Sequence, residues 1–172
     1  MTGKYQKQIN SDNFTTPKRS WFSVTTFGIM ILSFFFTFCV FTCGGERMSE
    51  KVYSGVDLMT MRLAEGNQDF GFADIITGLA FISAITGLIL SFFSKNHILK
   101  VVAGFAGVFF LMLLYVYIKH QIKQSSEAMA AWIVVKFKFG YFLALIAGLT
   151  AGFWNLRKYL EAKKPPGHGG FG

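Results

Sequence analysis

The chain has 172 residues, 52% of them hydrophobic, 17% aromatic and 15% charged, with a formal net charge of +8. Soluble domains usually carry about a quarter charged residues, and so small a domain has too little interior to bury 21 phenylalanines, which excludes water as the main solvent. Two cysteines exclude a disulfide framework.

The first twenty residues, MTGKYQKQINSDNFTTPKRS, are polar and lack helical periodicity. They read as a flexible tail, 1–20, ending in the basic anchors Lys18 and Arg19 before the interfacial aromatic Trp21. The run 21–43 carries no charge and satisfies the requirement of about 20 apolar residues for a bilayer core of about 30 Å. A secretory apolar region is usually about 7 to 15 residues long, and no small-x-small site follows, so the run is expected to stay as a first span. Phe34, Phe35, Phe36, Phe38 and Phe41 give it bulk. Cys39 and Cys43 share a helix face in this reading and serve as small packing residues, because two thiols alone make a poor zinc site.

The stretch 44–71 is the one sizeable connection, placed outside. Gly44-Gly45 suits a helix end, and Ser54-Gly55 reads as a turn. Leu58, Met59, Met61 and Leu63 are too apolar for free solvation, so they are expected against the outer mouth of the bundle or against another protein. A second span follows at 72–93, with Asp74 its only charge and a stripe of Ser83, Gly87 and Ser91 beside Ala80 and Ala84. SKNHIL, with Lys95, makes a tight inner turn. The third span, 101–118, has Lys100 and Lys119 at its ends, where long stems can snorkel.

A short outer connection leads to the fourth span, 137–156. A lysine at the bilayer centre costs about 2.5–3.5 kcal/mol, so the span begins beyond Lys136 and leaves Lys136 and Lys138 at the outer interface. As helical residues two apart they point to different sides, and one is positioned to meet Asp74 or an acid of the outer loop. Anchoring and an anion-attracting entrance both remain open for this pair. Beyond it, Gly140, Ala144, Gly148 and Gly152 form a four-residue repeat of small side chains. Lipid tails are as apolar as leucine, so helices in a membrane associate through the close packing that small residues permit. The stripe serves contacts within the chain or a seam to another chain. RKYLEA continues the helix and KKPPGHGGFG breaks it, making 157–172 a basic extension and tail.

Charge sets direction. With the N-terminus inside, ten Lys and Arg, including Lys18, Arg19, Lys95, Lys100, Arg157 and Lys158, face two acids on the inner side; outside, seven face seven. All excess charge lies on one side, as the positive-inside rule requires of an N-in, C-in chain. The basic composition therefore reads as topology and attraction to anionic lipid heads, not as a nucleic-acid footprint. His97 and His120 are separated by a full bilayer core in this arrangement, and His168 lies in a glycine-rich tail, so no haem or metal site is expected. Only Ser, Thr and Tyr supply polarity within the spans. No midplane charge, midspan proline, Ser-His pair, HExxH, carboxylate pair or phosphate loop marks transport or catalysis.

The chain resembles small bacterial four-span inner-membrane proteins without an assigned activity. An aromatic first span ending at Cys43, the stretch Ser54-Gly55-Val56-Asp57-Leu58, and the opening Gly140-Tyr141-Phe142-Leu143-Ala144 carry the resemblance, which implies no catalytic residues. Tetraspanins and claudins differ, because their paired loop cysteines have no counterpart here. The expected fold is all-α, an antiparallel four-helix transmembrane bundle, N-in and C-in, in the cytoplasmic membrane if the host is bacterial. The expected role is a non-catalytic accessory or scaffold subunit without cofactors, partnered by lipid and by other membrane subunits or itself. The alternative is a small transporter, channel component or lipid-binding protein.

Overall fold

The computed structural model describes residues 21–44, 49–64, 72–94, 96–129 and 132–163. In chain order these form α1 (Trp21–Ser33), β1 (Thr37–Gly44), β2 (Ser49–Ser54), α2 (Gly55–Ala64), α3 (Ala73–Phe93), α4 (His97–Met129), β3 (Trp132–Phe137) and α5 (Phe139–Lys163). The chain is mostly helical, but the expectation of an all-α fold is corrected by a three-stranded sheet.

The first apolar run is where helix gives way to strand. α1 stops at Ser33, and three tight turn bonds of 3.1 Å follow, from the N–H groups of Phe34, Phe35 and Phe36 to the carbonyls of Ile31, Leu32 and Ser33. The next residues, TFCVFTCG, are dense in β-branched and aromatic side chains, which lose rotamer freedom in a helix and suit a pleated surface. β1 becomes the central strand, antiparallel to both neighbours in the order β2-β1-β3. Phe41 lies opposite Lys51 on one side and Val135 on the other. Strand alternation then puts Cys39, Phe41, Tyr53, Val135 and Phe137 on the face packed against the core. Val40, Val52, Val134 and Lys136 share the other face.

Ser54-Gly55 is a helix start, not a free turn. Ser54 Oγ accepts from the Asp57 N–H at 3.1 Å while Asp57 Oδ2 accepts from the Ser54 N–H at 2.8 Å, a reciprocal capping box opening α2. Gly55 sits against the backbone of Phe34, where an added Cβ would come within 3.0 Å of its Cα and carbonyl oxygen. That approach lets the Val56 N–H donate to the Phe34 carbonyl at 3.1 Å. Leu58 is buried and Met59 packs on the core; the side chains of Met61 and Leu63 lie outside the described residues.

Three helices, α3, α4 and α5, are long and apolar enough to cross a membrane. α1, with 13 residues, reaches only about 20 Å, so the single helix expected over 21–43 is replaced by helix, turn and strand. The helix expected over 137–156 begins at Phe139 and continues to Lys163. α1, α3, α4 and α5 pack in a ring, each against its two neighbours. Neighbours run antiparallel: Phe27 of α1 and Phe34 in the turn after it meet Gly87 and Phe81 of α3, while Gly104 and Leu111 of α4 meet Gly152 and Tyr141 of α5.

The ring is small inside and bulky outside. Ala73, Thr77, Ala80, Ala84, Gly87 and Ser91 line the buried face of α3, and Ile75, Leu79, Ile82, Ile89, Phe92 and Phe93 its exposed face. From Ile75 to Phe93 of α3, and from Ile98 to Val116 of α4, the exposed apolar belt is about 27 Å tall, close to the core thickness of a bilayer. Beyond the belt, α4 continues to Met129, and β3 runs back beside it to Phe137, whose ring lies 4.9 Å from that of Tyr115. Fourteen helical residues and six extended ones both cover about 20 Å, so the sheet stands alongside the polar end of α4. We call this the sheet end, and the opposite end, with Lys100, Arg157, Lys158 and Lys163, the basic end.

Candidate functional site

The small-residue stripes sit inside the ring. An added Cβ at Gly140 would come within 2.9 Å of the Thr37 carbonyl, and one at Gly148 within 2.8 Å of Val108 Cγ2 and 3.4 Å of Met30 Cε. One at Gly152 would lie 3.2 Å from the Phe105 ring, and the Phe27 ring occupies the place of a side chain at Gly87. Ala144 is fully buried. Ser83 and Ser91 return their hydroxyls to the carbonyls of Ala80 and Gly87, at 2.7 and 2.8 Å. Bulky Phe27 and Met30 of α1, with Phe34 in the turn after it, fill the space that the glycines and alanines leave, and all three are fully buried.

At the sheet end the expected lysine geometry changes. Lys136 belongs to β3, opposite Val40, and Lys138 is the link to α5, its N–H donating to the Phe38 carbonyl at 2.8 Å. Both side chains are exposed. Asp74 Oδ1 instead accepts from the Ile75 N–H at 2.7 Å, and the ion pairs among the described residues do not include Asp74 or either lysine. Because Lys136 is in a strand, its side chain shares a face with Val134 two residues earlier, not the opposite side of a helix. Val52 is 57% exposed and Val134 48% on that face. Its partner face buries Cys39, whose thiol is pushed from an ordinary 9.0 up to about 12 by burial.

At the basic end, a polar cluster links three helices. Ser23 of α1 donates to Asn155 Oδ1 of α5 at 3.0 Å, and Asn155 Nδ2 donates to the Ala151 carbonyl at 2.8 Å. Both residues are fully buried. His97, at the start of α4, lies near Asn155, Lys100 and Lys158. Lys100 is 3% exposed, so it is packed into the end of the ring and not displayed on a rim. Arg157 and Lys158 are more open and share Glu161, at 2.8 and 3.0 Å. Lys18, Arg19 and Lys95, the other expected members of the basic rim, lie outside the described residues.

Asn155 is a buried polar residue of α5 beyond the Ser, Thr and Tyr expected within the spans. Its signal is its spacing: Ala144, Gly148, Ala151 and Asn155 recur at four, three and four residues on one face. Beside it, Phe22, Leu149, Thr150, Phe153, Trp154 and Arg157 line an open groove of about 380 Å³ between α1 and α5. Among the described residues no group of three His, Cys, Asp or Glu is placed to hold a metal ion. No protein-family model matches the chain, and no curated protein matches it.

Proposed function

We propose that the chain is a non-catalytic integral membrane protein, an accessory or scaffold subunit that stands beside a larger membrane complex and meets it through the outer sheet. In this reading it crosses the bilayer four times, N-in and C-in, α1 and the turn after it forming the shortest crossing. The basic end faces the inner leaflet, as the charge balance favours.

The observation that carries the reading is the division of surfaces. The small-residue stripes are used up within the chain, and the belt of large apolar side chains is what lipid requires. The open sheet face, with Val52 and Val134 exposed beside Lys136, is apolar surface placed beyond the belt, where lipid does not cover it. Among the described residues β2 and β3 are the edge strands of the sheet, and an edge strand is a ready template for another chain. The transport alternative draws less support, because Phe27, Met30, Phe34, Phe38 and Tyr141 fill the ring where a path would run.

A photo-crosslinking side chain placed at Val134, in membranes of the native host, tests the proposal. The expected result is a discrete heavier adduct from Val134 and Val52 and none from lipid-facing Ile146. A monomer in gentle detergent, with no adduct from either sheet position, refutes the subunit role. Tags reached from opposite sides of the membrane at the two termini refute the topology.

A further inference from the structure

We infer that the groove between α1 and α5 at the basic end is a seat for one anionic phospholipid, its phosphate held by Arg157 and its acyl chain laid along the groove. The inference rests on membrane insertion and is independent of the subunit role. The floor is apolar: Leu149 and Phe153 contribute hydrocarbon, and Thr150 has turned its hydroxyl back to the Ile146 carbonyl at 2.7 Å. From Leu149 to Arg157 the helix rises about 12 Å, the length of an acyl chain's upper half. The groove opens on the belt that faces lipid, with Phe153 and Phe22 exposed at its sides.

Charge complementarity identifies the occupant. Arg157 closes the basic end of the groove, and Glu161 engages only its Nε, at 2.8 Å, which leaves the planar terminal nitrogens for the bidentate contact that guanidinium makes with phosphate. Lys158 adds a second cation, its Nζ 5.7 Å from the centre of the Trp154 ring. Two cations therefore share one carboxylate, and the groove mouth keeps a positive excess. Trp154 carries the other mark of an incomplete site: its ring packs on Phe22 at 4.3 Å, and its buried Nε1 has no hydrogen-bond partner among the described residues. A zwitterionic lipid fits the apolar floor equally well but brings its own cation to Arg157.

Native mass spectrometry of the full chain, released from micelles doped with phosphatidylglycerol or phosphatidylcholine of identical acyl chains, tests the seat. The expected result is one retained phosphatidylglycerol, favoured about fivefold over phosphatidylcholine, the factor carried by about 1 kcal/mol per basic side chain near an anionic surface. Arg157→Gln removes that preference, and Lys123→Gln, an equal loss of charge at the sheet end, leaves it intact. Equal retention of the two lipids, an unchanged preference in Arg157→Gln, or an equal fall in both variants overturns the inference. Failure here leaves the crosslinking test of the subunit role untouched, and the converse also holds.

Discussion

Replacing Gly104 by alanine adds one methyl group where α4 and α5 touch backbone to backbone. The new Cβ would lie 2.9 Å from the Gly152 nitrogen, 3.1 Å from the Gly152 Cα and 3.3 Å from the Gly148 carbonyl oxygen. Favourable contact between heavy atoms needs about 3.5–4.0 Å, and none of these three partners is a side chain that can swing aside. The helices must separate by roughly 0.5–1 Å, a gap that forfeits a quarter to a half of each dispersion contact along the seam. Overpacking of this kind costs about 1–3 kcal/mol, opposed by at most about 1 kcal/mol of helix propensity gained on leaving glycine. Gly28 and Gly78 are the controls, since an added Cβ there meets nothing within 4 Å, so Gly28→Ala and Gly78→Ala keep the propensity gain alone. Thermal unfolding in detergent, followed by tryptophan fluorescence, should put Gly104→Ala roughly 2–12 °C below the controls, from about 1–3 kcal/mol at about 2–4 °C per kcal/mol for a chain of this size. A Gly104→Ala protein as stable as Gly28→Ala refutes the backbone seam.

Gly148→Leu is expected to unfold the ring, because Val108 and Met30 already occupy that space; loss of a partner with unchanged stability in detergent would instead place the stripe at a seam between chains. Ser23→Ala and Asn155→Ala should show a coupling of about 0.6–1.7 kcal/mol in a double-mutant cycle, the range for hydrogen bonds between membrane helices, and zero coupling removes the link between α1 and α5. In a Cys43→Ser background, Cys39 should resist maleimide at pH 7.5 until the protein is unfolded, since its buried thiol holds its proton up to about 12. The unfolded thiol loses its proton first, so this group lowers stability as pH rises from 9 toward 12; rapid labelling of the folded protein contradicts the burial of β1.

Much of the architecture was legible in one dimension, for a physical reason that residues 73–93 display well. Apolarity sustained over twenty residues makes a helix long enough to cross a membrane, and Ala80, Ala84 and Gly87 against Ile82 and Ile89 already divide the small face from the bulky one. The run 21–43 shows where that reading stops. Hydropathy scores Phe38, Val40 and Phe41 alike in a helix and in a buried strand, so the break at Ser33 was hidden by the same residues that fill both elements. The strand preference of TFCVFTC and WIVVKF was present but weak by itself, because a strand has no stability until another pairs with it. Likewise the pairing of Ser23 with Asn155 joins positions 132 apart in sequence, and the burial of Lys100 is not marked by its neighbours in the chain.

The sequence by itself determined the apolar composition, the number of apolar runs and the order of charges between them, since these are read along the chain and no packing can change them. Only the tertiary structure decided that the glycine stripes look inward, that β1 is the central strand of the sheet, and that α1 and α5 border an open groove. Each of these depends on which surfaces meet, and long-range contact is not written in the local periodicity of either partner.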